Sequence, residues 1–252
     1  MRVVCQQPHY LPWLGYFELF AQADAFVFLD SVQWIRQGRQ HRTKIHSPGT
    51  EARWLTVPVK GHGHREKTIK DMQVDTDAPW ADHHWRLIEE TYRHAPRFRD
   101  QVEPLLRPFF EKAQKEKFLI DISQESLWLF WEGLDLKSEI HWASEMPAQP
   151  EGANERLIGL CRSLGADEYY SSLGSTRYID LSIFRENGLR VRWQHFRSTF
   201  PGEPLRSADL SAIDWLAYHD WSVLRAAIAP RSGFRSELPA QPANTADSGA
   251  RI

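Results

Sequence analysis

Residues 2–30 read RVVCQQPHYLPWLGYFELFAQADAFVFLD, and this stretch decides the fold. RVVC (2–5) is apolar and β-branched, and a Pro-containing turn follows it, which reads as a short buried strand. From Pro12 the period changes. Leu14, Phe17, Leu19 and Phe20 fit a helix, Pro12 suits its first turn, and Asp24 ends it. FVFLD (26–30) is a near-continuous apolar run, the pattern of a parallel strand covered on both faces. Strand, short helix and strand within about 30 residues make a βαβ unit, whose crossover is expected to be right-handed.

The alternation continues downstream. WLTVPVK (54–60) reads as a strand near an edge, because Pro58 cannot donate to a ladder. From Trp80 to about Leu134 the period is helical: Trp85, Ile88 and Tyr92 share one face, and Pro96, Pro104 and Pro108 punctuate the region. SEIHWASEM (138–146) returns to strand. NERLIGLCRSLGAD (154–167) is an amphipathic helix stopped at Gly165, and EYYSS (168–172) is a strand end. LGSTRYIDLSIFRENG then runs from a loop into a helix. LRVRWQHF (189–196) alternates as a half-buried strand, and DLSAIDWLAYHDW (209–221) is a helix capped by Asp209 or Ser211. The expectation is an α/β fold with a mostly parallel sheet: one domain over residues 1–228, a helical insertion at about 80–135, and a disordered Pro/Ser/Ala/Gly-rich tail at 229–252.

Composition narrows the function. The 252 residues are 42% hydrophobic and 12% aromatic, enough for a sizeable core. Lys plus Arg is 31 against 33 Asp plus Glu, so a dedicated polyanion binder is not expected. Nucleic acid would have to use the short basic loop, with Trp34 and Trp54 as stacking platforms. Two cysteines, Cys5 and Cys161, exclude a disulfide scaffold and a four-cysteine zinc site. The start has no apolar leader and no run spans a bilayer, so the expected location is the cytoplasm, with no membrane partner. LWLFW (127–131) is a candidate homodimer contact.

Ligands of parallel sheets bind at the carboxyl ends of strands, which directs attention to the loops after residues 5, 30 and 172. Gln6, Gln7, His9, Tyr10 and Tyr16 cluster after the first strand, a dense set of donors and acceptors. A rigid, packed turn is the plainer account of the same residues. Asp30 and Gln33 follow the second strand. After them come Arg36, Arg39, Arg42 and Lys44, with no acid from Ser31 to Thr50, a pattern suited to phosphate or carboxylate. The stretch 31–49 has no clean period and reads as a functional loop, with a solvated basic loop as the alternative. Ser175, Thr176 and Arg177 follow the EYYSS strand, where backbone N–H groups can meet an anion, or where a hydroxyl simply caps a helix. His62 and His64, and His83 and His84, lack the spacing of H-E-x-x-H, so no metal site is expected. There is no G-x-S-x-G, and Cys5 lies inside an apolar strand.

These blocks together resemble the WbqC-like family of bacterial proteins. The resemblance runs through QPHYLPWLGYFELFAQADAFVFLDSVQW (7–34), RTKI (42–45), WLTVPV (54–59), TIKDMQVD (68–75), HHWRLIEETY (83–92), LGADEYYSSLGSTRYIDLSIFRENGLRVRW and LSAIDWL, about residues 1 to 220. It implies a role in bacterial surface-polysaccharide biosynthesis, O-antigen among them, on an unusual and often amino-bearing sugar or amino acid. The chain departs from the family pattern at Arg36, where Lys is usual, at Arg39, where an aromatic is common, and at His41 and Thr43, where Asn is common. It also lacks the late H-P-x-Y-x-Q run. The opening strand, Pro-rich turn and helix resemble, more distantly, the HUP-type nucleotidyltransferases. That implies a Rossmann-like sheet, although the paired histidines of that class are absent.

The expected function is therefore group transfer on an amino-bearing sugar or amino acid, with a small phosphate- or carboxylate-bearing substrate. His9 and Asp30 are the candidate catalytic groups. Gln6, Gln7, Tyr10, Tyr16, Gln33, Arg36, Arg42, Lys44, Ser175, Thr176 and Arg177 are candidate binding groups. A non-catalytic small-molecule or nucleotide-sugar binding protein is the alternative. The sequence names no cofactor.

Overall fold

A computed structural model describes residues 1–47, 50–61, 66–196 and 209–229. Five strands form one sheet: β1 (Arg2–Gln6), β2 (Ala25–Phe28), β5 (Glu139–Trp142), β6 (Glu168–Ser171) and β7 (Arg190–Trp193). Their order is β5-β2-β1-β6-β7 and every pairing is parallel. Between β1 and β2 lies α1 (Leu14–Gln22).

The period-2 alternation of β1 and β2 divides the core in two. Val4, Phe26 and Phe28 face one side, where Phe17 and Phe20 of α1 pack with Phe130. Phe20 stacks on Phe26 at 3.6 Å between centroids. Val3, Cys5, Ala25 and Val27 face the other side, against Leu157, Cys161 and Phe184. Those residues come from α5 (Ala153–Ser163) and α6 (Leu181–Glu186). Burying each phenylalanine contributes about 2–3 kcal/mol, which is why a four-residue strand suffices at β2.

Helices on both faces of a five-strand parallel sheet make this a Rossmann-like fold. Counted along the chain within the sheet, the spatial order is third, second, first, fourth, fifth. The chain winds outward from β1 in one direction, crosses back, and winds outward from β6 in the other. The reversal falls between β1 and β6, and parallel α/β sheets bind their ligands at such a point, beyond the carboxyl ends of the strands.

Between β2 and β5 the chain makes an antiparallel hairpin, β3 (Arg42–Ser47) with β4 (Thr50–Thr56), and then a helical region. That region holds α2 (Trp80–Tyr92), a π-helical turn (Phe98–Val102), α3 (Glu103–Ala113) and α4 (Leu119–Trp131). Pro104 sits at the start of α3, where its missing N–H costs nothing, and Pro108 lies inside it. Residues 42–47, expected as loop, are a strand. They do alternate, but the inward positions are Thr43, Ile45 and Ser47, and two of those three are polar. Near the C-terminus, α7 (Ala212–Tyr218) starts at Ser211, whose hydroxyl accepts from the Ile213 N–H, and α8 (Trp221–Ile228) follows. Gly165 closes α5 at φ +69°, where glycine carries no steric penalty. The expected tail beyond residue 229, and His62 and His64, lie outside the described residues. No helix among the described residues is long and apolar enough to cross a membrane.

Candidate functional site

The end of β1 and the loop after β6 meet at the strand reversal, the candidate crevice. Gln6 Nε2 donates to Ser172 Oγ at 3.4 Å, just past the end of β6. Gln7 Oε1 accepts from Gln40 Nε2 at 2.5 Å, and its backbone oxygen accepts from the Tyr16 hydroxyl at 2.8 Å. His9 stacks on Tyr16, centroids 4.4 Å apart. Tyr16 is buried, so it backs the imidazole.

The turn that carries these groups is held in a strained shape. Leu11 has φ +41°, the left-handed region that a branched side chain disfavours. Its N–H donates to Ser126 Oγ at 3.0 Å and its carbonyl accepts from Thr43 Oγ1 at 2.8 Å. Helix α4 and hairpin strand β3 therefore clamp the loop from two sides. Tyr10 ties it to a third element: its N–H donates to the Arg39 carbonyl, and its hydroxyl meets His84 Nδ1 on α2 at 2.9 Å.

The electrostatics are those of neutral imidazoles beside fixed cations. Burial, then the Arg39 charge, lowers the His9 pKa to about 3. Burial, then Arg42, takes His41 to about 4. Burial, then His83, takes His84 to about 3. Four polar atoms here are buried and meet no partner: His9 Nδ1, Gln40 Oε1, His41 Nδ1 and Arg42 Nε. They belong to two short segments brought together by the Gln7–Gln40 and Tyr10–Arg39 hydrogen bonds. Clustered unsatisfied groups mark a place for water or ligand.

The other candidates are engaged by protein partners or point outward. Asp30 is buried, with Oδ1 accepting from the Ser144 N–H at 2.9 Å and Oδ2 from the Ser144 hydroxyl at 2.6 Å. It is thus directed toward β5, whereas Gln6 reaches toward β6 on the opposite side. Tyr10 is buried with its hydroxyl on His84 and does not face the crevice. Gln33 bridges to Thr68. Arg36 and Arg177 are exposed. Ser175 is buried, its hydroxyl shared with Ser171 Oγ and the Ser172 carbonyl. Thr176 bonds the Leu173 carbonyl within its own 3₁₀ turn. Arg42 and Lys44 project from β3 over Trp54.

Several partners were not legible in the sequence. Gln40 is buried against Gly38, where a Cβ would stand 1.7 Å from the Gln40 amide oxygen. That glycine was the available signal. A second buried group, Glu18 with Tyr170 and Gln194 at 2.7–3.2 Å, braces α1 against β6 and β7. No local pattern announces it.

A family model described as the WbqC-like protein family matches residues 7–225. The chain belongs to the WbqC-like family. The match takes in the first crevice loop, the hairpin, the helical insertion and the β6 loop of this WbqC-like protein. It is similar to the uncharacterized protein Rv1507c of Mycobacterium tuberculosis (strain ATCC 25618 / H37Rv), 31% identical over 194 residues, covering 76% of this chain and 81% of the relative. No solved structure matches it. Among the described residues no group of three or more His, Cys, Asp or Glu is placed to hold a metal ion.

Proposed function

We propose that this WbqC-like protein binds a small polar metabolite in the crevice between β1 and β6 and transfers a group to or from it, in the cytoplasm. The observation that carries the proposal is the set of four orphaned atoms beside that crevice. Their chemistry constrains the ligand. Gln40 Oε1 only accepts and requires an amine or hydroxyl hydrogen. Arg42 Nε only donates, on a charged group, and is best met by an oxyanion. The two imidazoles are neutral near pH 7 and serve either way. A metabolite with both an amine or hydroxyl and a phosphate or carboxylate meets these demands. The amino-bearing sugars and amino acids that family membership suggests are of that kind.

His9 is the proposed proton acceptor. Burial, and after it the Arg39 charge, holds its pKa at about 3. A ligand oxyanion beside Arg39 offsets the second of these causes and raises the basicity of His9 by that part alone. Gln6, Gln7 and Gln40 orient the ligand, and Asp30 holds the turn after β5 through Ser144.

A second reading, binding without catalysis, is favoured by one specific fact. Both Asp30 oxygens are already engaged by Ser144, so this carboxylate is not offered to a ligand as a base. A thermal-shift screen against nucleotide-sugars, amino sugars and amino acids, followed by mass spectrometry of each hit, separates the two. Turnover that His9→Ala abolishes supports transfer. Binding with no product over a full set of donors supports the carrier or sensor.

A further inference from the structure

Hairpin β3–β4 carries a second cluster that packing does not account for. Lys44 on β3 pairs directly with Trp54 on β4, and Arg42 projects from the same face two residues earlier. Arg39 approaches from the preceding turn. The Trp54 ring centroid lies 4.2 Å from Arg42 Cζ, 4.9 Å from Arg39 Cζ and 5.1 Å from Lys44 Nζ. Three cations thus surround one indole that is itself 39% exposed.

The described residues provide too little negative charge for them. A single carboxylate oxygen, Asp209 Oδ2, lies 2.8 Å from Arg39 Nη2 and 2.7 Å from Lys44 Nζ. Arg42 makes no ion pair among the described residues: its Nη2 donates to the Gln37 carbonyl, and its Nε is buried with no partner. Burial lowers the Arg39 pKa, Asp209 opposes that, and Arg42 adds the smallest push downward. One carboxylate against three cations leaves two positive charges, and their natural counterpart is a dianion. A carboxylate would balance only one of them.

We propose that the Trp54 face of the hairpin is a phosphate-binding site, in which a dianionic phosphoryl group lies between Arg42 and Lys44 with Arg39 as the third cation. This deepens the crevice proposal and rests on it only for the remainder of the ligand. Arg39 adjoins both places, because its carbonyl holds Tyr10 and its charge acts on His9. The ligand's anionic end is thereby identified as phosphoryl, a class that includes sugar phosphates and nucleoside diphosphates.

The test uses inorganic phosphate and pyrophosphate alone, with acetate as the monoanionic control, by isothermal titration at low salt. Neither phosphate probe has an organic part to fill the crevice, so a failure here removes the phosphoryl end and leaves the His9 and Gln40 part of the crevice proposal standing. A failed metabolite screen, equally, leaves a measured phosphate site intact. Wild type should bind both phosphate probes and bind acetate at least about tenfold more weakly. Arg42→Gln and Lys44→Gln should each lose about tenfold in phosphate affinity, while Arg53→Gln, exposed on the same hairpin outside the cluster, stays within about twofold. The melting temperature of Arg42→Gln should hold or rise, since a repulsion is relieved. The proposal is overturned if phosphate does not bind below about 10 mM, if acetate binds equally well, or if Arg53→Gln loses as much as Arg42→Gln.

Discussion

Three imidazoles held neutral by their surroundings make acid the weak side of this molecule. His9, His41 and His84 have folded pKa values of about 3, 4 and 3, against an ordinary 6.5. The unfolded chain takes up these protons near 6.5 and the folded chain does not. Their contribution to stability is therefore complete above that pH and is lost as pH falls toward 4. The slope is up to about 1.4 kcal/mol per pH unit for each of the well-buried His41 and His84, and less for half-buried His9. Urea unfolding at about pH 7, 6 and 5 should show stability falling at each step; a flat profile would mean the imidazoles are solvated. The Tyr10–His84 bond carries a second prediction. His84→Phe strands the buried Tyr10 hydroxyl and should cost about 1–3 kcal/mol, and adding Tyr10→Phe should recover part of it. Equal costs for the single and double variants, measured by denaturant melts, would contradict the coupling. The individual residues at the crevice were legible because Gln6, Gln7 and His9 are polar side chains at a strand's carboxyl end. Gln40, His84 and Ser126, the partners of Gln7, Tyr10 and Leu11, come from 33 to 115 positions away, and no local pattern reports such a distance.

At the level of elements, the sequence announces what is apolar and hides what is polar. The β1–α1–β2 unit follows from the switch between periods of two and 3.6, and the helices of the insertion follow from their faces. Strand β3 does not, because Thr43 faces inward to hold the Leu11 carbonyl. Thr43→Val keeps the shape and removes that bond, so it should cost about 1 kcal/mol and loosen the Leu11 turn. Urea melts and faster amide exchange at residues 7–11 would register it; unchanged stability and exchange would show that the turn needs no clamp. Cap chemistry divides the same way. Ser211 and Asp209 were equal candidates by type, but Asp209 turns out to bind Arg39 and Lys44 while Ser211 caps α7. Ser211→Ala should lower stability by about 1 kcal/mol, read as a reduced urea midpoint at constant slope, and no shift would remove the cap from the account.

For the molecule as a whole, the reversal between β1 and β6 sets one end of the sheet apart. The other end has a recess of its own, about 260 Å³, lined by Phe20, Leu136, Lys137, Arg225 and Ile228 near the amino ends of β2 and β5. Chain order alone does not choose between the ends; strand polarity does, because backbone N–H groups and loop side chains converge beyond the carboxyl ends. A ligand at a hundred times its Kd should stabilise the fold by about 2.7 kcal/mol wherever it binds, so a thermal shift by itself does not locate it. Hydrogen exchange does. With a stabilising metabolite bound, slowed exchange should fall on the turn after β1, on residues 38–42 and on the 3₁₀ turn after β6. Protection confined to the recess around Phe20 and Ile228, with those three segments unchanged, would contradict a crevice at the strand reversal.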